Sequence, residues 1–253
     1  MVRQNGRKKL EICVDSLQSA LIAQQGGADR IELCSALELG GLTPDPALFL
    51  LAKQRLDIPI FVLIRPRMGG FVYDDKDQEV IVKSIQYFKE NGVDGIVLGA
   101  LTNQGSVDLP LMQQLMNIAS PLPVTFHRAF DQIADPISEL PKLVALGIQR
   151  ILTSGQKEKA VSGISLLKEM VDVVGDKITI LAGGGVSSHN IDELLSIGLN
   201  EMHASARISV PEIRGDNNVL ISQGGISDTY RFADLQEIAT LRKIMDKYDT
   251  INP

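Results

Sequence analysis

The chain has 253 residues, 44% of them hydrophobic and 22% charged, with a net charge of −6. That balance describes a water-soluble globular chain with ample core, and its acidity excludes nucleic acid as the main partner. No apolar run approaches the roughly 20 residues of a membrane-spanning helix, so no membrane partner is expected. The N-terminus lacks an apolar segment of the signal-peptide kind, which points to the cytoplasm and to two reduced cysteines. The basic run Arg7-Lys8-Lys9 is short and precedes a strand, so it reads as a solvated terminus. Trp is absent and aromatics are 4%, which argues against base-stacking platforms.

Strand-like and amphipathic runs alternate eight times. Strands are predicted over 10–14, 30–34, 60–65, 95–99, 124–129, 150–154, 178–182 and 201–205. Between them lie stripes at helical spacing, such as Val80, Ile81, Ser84, Ile85 and Phe88, or Leu166, Leu167, Met170, Val171 and Val174. Leu241, Ile244, Met245 and Tyr248 form the last. Gly27, Gly92, Gly147 and Gly198 each stand three residues before a predicted strand, where a helix ends on a left-handed residue. One junction used four times implies one repeated βα unit, hence a parallel sheet. Eight units in 253 residues predict an α/β fold, a single (β/α)8 TIM barrel. A doubly wound open sheet is the competitor, but no GxGxxG follows the first strand. One domain over 1–253 is expected, with 208–230 as a long loop after strand eight serving as lid or subunit contact.

The first two strands share a pattern: Leu10-Glu11-Ile12-Cys13 and Ile31-Glu32-Leu33-Cys34 hold the only cysteines. Residues two apart share a strand face. In a barrel wrapped by helices, the aliphatics pack outward and Glu and Cys face the lumen. The same parity sends inward Asp15, Arg65, Arg67, Thr125, His127, Thr153 or Ser154, His203, Ser205 and Arg207. Lumens ordinarily hold Val, Ile and Leu. Buried charges cost several kcal/mol unless paired, so this set is expected to do more than pack. For any one pair, mutual neutralisation is the competing explanation, as between Glu32 and Arg65.

Three consecutive glycines, Gly183, Gly184 and Gly185, end strand seven, where many barrels bind phosphate; Arg207 supplies the second half of an expected anion site. A tight turn is the alternative use of the glycines. Arg65 and Arg67 place two guanidinium forks after strand three, suited to clamping a carboxylate or phosphate or to surface pairing. His127, with Asp131 four residues on, is a candidate general base, metal ligand or buried hydrogen-bonded residue. His203 is expected to be as much structural as functional, and His189 to lie at the surface. No CxxC, HExxH or Walker pattern occurs.

In order along the chain stand Ile31-Glu32-Leu33-Cys34, Gly40-Gly41-Leu42-Thr43-Pro44, Arg65-Pro66-Arg67, the 125–131 stretch, Ile151-Leu152-Thr153-Ser154-Gly155 and the 182–186 glycine run. Together they resemble the CutC copper-homeostasis family of cytosolic barrel proteins, over essentially the whole length. The resemblance implies copper handling, with Cu(I) at Cys13 and Cys34. Glu212-Ile213-Arg214-Gly215 departs from the more basic, aromatic stretch expected of the family there. Two functions follow as expectations. One is a protein that sequesters or passes on copper ion. The other is an enzyme on a small anionic ligand, using Glu32, His127 and Asp131 in acid–base chemistry. A homo-oligomer, dimer or higher, is expected.

Overall fold

In the computed structural model, which describes residues 7–211 and 229–251, eight parallel strands close on themselves in sequence order. They are β1 (Lys9–Val14), β2 (Arg30–Leu33), β3 (Ile60–Leu63), β4 (Gly95–Leu98), β5 (Val124–Phe126), β6 (Arg150–Thr153), β7 (Thr179–Gly183) and β8 (Glu201–Ala204). Glu11 closes the circle, pairing in register with Arg30 of β2 on one side and His203 of β8 on the other. The outer ring holds α1 (Leu17–Gln25), α2 (Pro46–Arg55), α3 (Asp75–Glu90), α4 (Leu109–Ala119), α5 (Pro136–Ala145), α6 (Ile164–Val174), α7 (Ile191–Ser196) and α8 (Leu235–Ile251). The fold is a (β/α)8 barrel.

Local sequence sets where these helices begin. Ser16, Asp45, Asp74, Asp108 and Asp135 cap α1 to α5, each accepting hydrogen bonds from first-turn amides. In α2, α4 and α5 a proline follows within two residues of the cap, where its missing N–H costs nothing.

Packing divides at the barrel wall. Outward aliphatics such as Ile12, Ile31, Val62, Ile96 and Ile151 join Phe49, Phe88, Leu115, Leu143 and Leu167 of the helices in one buried layer. Each such side chain contributes about 1.5–3 kcal/mol. Inside the lumen a second, small cluster gathers Cys13, Cys34, Phe61, Leu63 and Val97. Below it lies a charged floor. Arg30 donates to Glu11 and to Glu201, and Arg150 Nε donates to Glu201 at 3.0 Å. The Arg30 and Arg150 guanidiniums lie over the Phe61 ring, 5.4 and 5.2 Å from its centre.

Several expectations change here. Strands three and five are shorter than predicted, ending at Leu63 and Phe126. After β5, Asp131 gathers the Thr153 hydroxyl and the Ser154 and Gln156 amides, fixing a 3₁₀ turn over Arg128–Gln132. Lys8 is not solvated: its ammonium pairs with Asp249 of α8 at 3.2 Å, and the residue is buried. The expected 208–230 loop begins and ends as antiparallel strands β9 (Arg207–Pro211) and β10 (Thr229–Ala233). Its middle, including 212–215, lies outside the described residues.

Candidate functional site

Strand parity and stagger assemble the site. Cys13 of β1 pairs in register with Glu32 of β2, two residues short of Cys34. Its Sγ therefore donates to Glu32 Oε1 at 3.3 Å and lies 3.7 Å from Cys34 Sγ. His203 of β8 stands on the other flank, its Nδ1 2.6 Å from Glu11 Oε1. Above these groups, at the C-terminal mouth, a cavity of about 260 Å³ is lined by Cys13, Glu32, Arg65, His127, His203 and Arg207. Gly184, Gly185 and the apolar Leu63, Phe71 and Leu152 complete much of its wall.

His127 follows β5 and caps the 3₁₀ turn. Its Nδ1 accepts from the Ala129 amide at 3.1 Å, and its ring packs on Phe71 with centroids 4.7 Å apart. A Cβ at position 99 would stand 2.8 Å from Nδ1, so Gly99 makes room for the ring. Burial first, then the Arg65 charge, lowers the His127 pKa to about 3. The imidazole is neutral at physiological pH, and with Nδ1 accepting, its proton sits on Nε2.

Burial, helped by the Glu11 charge, raises the pKa of Glu32. For Glu11 burial works upward, but Arg30 and the His203 hydrogen bond outweigh it and hold the carboxyl at about 2. His203 is pushed down by burial and more than restored by its bond to Glu11 and by the Glu32 charge, so its pKa is raised. The Cys13 thiol is held well up by its contact with Cys34, by burial and by Glu32.

Other expected residues take different places. Arg65 lines the cavity, but its Nη1 donates to the Leu39 and Gly41 carbonyls and its Nη2 to that of Gly69. Arg67, expected beside it as an anion clamp, turns outward to Asp77 at 2.7 Å and to the loop carbonyls of Met68 and Val72. Asp131, expected in acid–base chemistry, spends both oxygens on Arg128, Thr153, Ser154 and Gln156. Its role in the geometry is to brace the β5 and β6 loops.

The glycine run divides likewise. Gly183 belongs to β7, where a Cβ would meet Leu152 at 2.5 Å. Gly184 and Gly185 turn at the mouth with φ of 107° and 68°. A turn over 187–190 separates them from α7, so they do not open directly into a helix. Arg207 lines the cavity and pairs with Glu38 at 3.0 Å. Arg128 also lines it, a residue not singled out from sequence although it adjoins His127. His189 is exposed.

The CutC family model matches residues 8–208, from β1 into β9. The chain belongs to the CutC family. A human copper homeostasis protein cutC homolog is 47% identical over 199 residues, 78% of this chain and 73% of that one. The family protein CutC of Xanthomonas campestris pv. campestris strain B100 is 42% identical over 238 residues, 93% of this chain and 98% of that one. A crystal structure of CutC from Streptococcus agalactiae superposes with a TM-score of 0.75 at 33% identity, covering 78% of this chain and 98% of that one. Among the described residues of this CutC chain, the ligating atoms of Cys13, Glu32 and His203 lie within 4.8 Å of one another, a group that could hold a metal ion. Glu11 behind His203 repeats the carboxylate–imidazole arrangement common behind metal-binding histidines. No described helix is long and apolar enough to cross a membrane.

Proposed function

We propose that this CutC chain binds Cu(I) through Cys13 and Cys34 and serves copper sequestration or transfer in the cytoplasm. The observation that carries this reading is the meeting of the only two thiols at 3.7 Å in the lumen. Thiolates select a soft monovalent ion over harder competitors in a reducing compartment. The human and mouse relatives, both named copper homeostasis protein cutC homologs, support it. With bonds near the zinc–thiolate length of about 2.3 Å, a linear ion would span about 4.6 Å. The sulfurs as placed suit a bent arrangement completed by a third donor, for which Glu32 or His203 is at hand. Loading displaces the Cys13 proton, so affinity falls as pH falls. An anaerobic Cu(I) competition titration tests the reading. One-to-one binding lost in Cys13→Ser and in Cys34→Ser is the expected result, and unchanged affinity in the double variant would overturn it.

A second reading, an enzyme on a small anionic substrate, is favoured by a separate observation. Glu32 Oε2, His127 Nε2 and Arg65 Nε are buried without a hydrogen-bond partner among the described residues, and all three residues line the cavity. Leaving such groups dry costs about 1–3 kcal/mol each. In this reading Glu32 exchanges protons with the substrate and His127 steadies a developing negative oxygen. Arg207 and the Gly184–Gly185 backbone would receive the anionic end.

A further inference from the structure

The unpartnered groups at the mouth differ in kind, and that difference specifies a ligand. His127 offers only a donor, because Nδ1 is committed to the Ala129 amide and Nε2 carries the proton. Arg65 offers its Nε–H, since three backbone carbonyls take three of the four N–H groups on its terminal nitrogens. Both are fixed against one ring: His127 packs on Phe71, and the Arg65 guanidinium lies 5.1 Å from the Phe71 centroid. Two buried N–H groups thus flank Phe71, with no acceptor of their own to offer. Glu32 contributes the opposite, an Oε2 that accepts when the carboxyl is ionised, while Oε1 stays with Cys13. Neither donor suits a metal cation. An inorganic anion would leave the apolar wall of Leu63, Phe71 and Leu152 unused. The cavity of about 260 Å³ has room for a compact metabolite.

We propose that the cavity binds a small hydroxycarbonyl anion, its sp² oxygen accepting from His127 Nε2–H and Arg65 Nε–H, its hydroxyl donating to Glu32 Oε2, and its charged end facing Arg207 and Gly184–Gly185. The inference rests on the second reading above and gives that substrate its class. It also assigns His127 the part of neutral donor rather than of base. The charged end, phosphate or carboxylate, is the part that the geometry leaves common to both.

Two matched pairs of probes test this with the full chain. Dihydroxyacetone phosphate and glycerol 3-phosphate differ only in ketone against alcohol, as do hydroxypyruvate and glycerate, so each pair holds charge and size nearly constant. In calorimetric titration the ketone of at least one pair should bind about tenfold or more tightly than its alcohol, and the responding pair identifies the charged end. His127→Asn keeps an acceptor for the Ala129 amide but removes the distal N–H, and should erase that preference. His127→Gln, which can restore a distal donor, should recover part of it. In the unmodified protein, the Nε2-bound proton of His127 should move downfield in long-range ¹H–¹⁵N spectra with the ketone and not with the alcohol, which keeps the test valid if a variant fails to fold. Equal binding of ketone and alcohol in both pairs would overturn the inference while leaving an anion site standing. A ketone preference unchanged in a folded His127→Asn would overturn the role of His127. Saturable binding of none of the four below about 10 mM would overturn the second reading together with the inference.

Discussion

At the scale of single residues, His127 shows how a few contacts decide what a side chain can do. The Ala129 amide fixes its tautomer, Gly99 gives it room, and burial with Arg65 beside it keeps it neutral. Its folded pKa of about 3 lies below the usual 6.5, so the unfolded chain binds a proton that the native state refuses. The resulting stability is complete above pH 6.5 and is lost as pH falls from there toward 3. Across that window His127 should contribute a slope of about 1.4 kcal/mol per pH unit, removed in His127→Gln. Urea denaturation of both proteins at several pH values measures it. Parallel pH profiles would mean that the imidazole titrates normally when folded. The approximate position of His127 was legible from strand parity and its place near the mouth. Arg67 and Asp131 were not, since their fate depends on loop partners, Asp77 and the Ser154 amide among them, that no periodicity announces.

At the scale of elements, β9 and β10 are the feature least visible in the sequence. Tyr230 and Phe232 stack within the ribbon with centroids 5.9 Å apart, and the Asp234 amide returns to the Ala206 carbonyl. Arg207 and Arg231 both reach Glu38, on the short helical turn Leu37–Leu39 that follows β2. The ribbon is thereby tied across the mouth to the loop that also receives Arg65. Length and glycine content marked 208–230 as a loop, and cross-strand pairing between positions some twenty residues apart leaves no local signature. Glu38 is well exposed, so its ion pairs are worth little to stability, about 1 kcal/mol or less. They do, however, occupy the charge of Arg207. Glu38→Gln is therefore expected to leave urea stability nearly unchanged while tightening inorganic phosphate binding a few-fold at low salt. Weaker phosphate binding in that variant would show that Glu38 positions Arg207 rather than competing for it.

At the scale of the whole molecule, the alternation of eight strands and helices was plain from the chain, because period-2 and period-3.6 patterns and the glycine junctions repeat. The charged floor was not drawn from it, although Arg30, Arg150 and Glu201 each begin a strand with complementary charge. First positions read as loop edges in a sequence, and closure of β8 against β1 is what turns them into neighbours. The floor couples four strands through Glu11, Arg30, Glu201, Arg150 and His203. Replacing one member leaves its partners buried and unpaired, at a cost of about 3–5 kcal/mol. Glu11 is the member whose protonation spans acid pH, with a carboxyl held at about 2 against the usual 4.5. A depressed carboxyl contributes stability above pH 4.5 and loses it as pH falls toward 2, in total on the order of 3 kcal/mol. His203 acts in the opposite window, since its raised pKa contributes stability below 6.5 that is lost as pH rises through its folded value. Glu11→Gln removes the carboxylate from both interactions. The variant should therefore fall furthest below the parent between about pH 4.5 and 6.5, with the gap narrowing toward pH 2 and also on the alkaline side. Urea unfolding at pH 3, 5.5 and 8, with ionic strength held constant, measures the gap. A deficit of the same size at all three would reduce Glu11 to a packing residue and leave the floor without its electrostatic role.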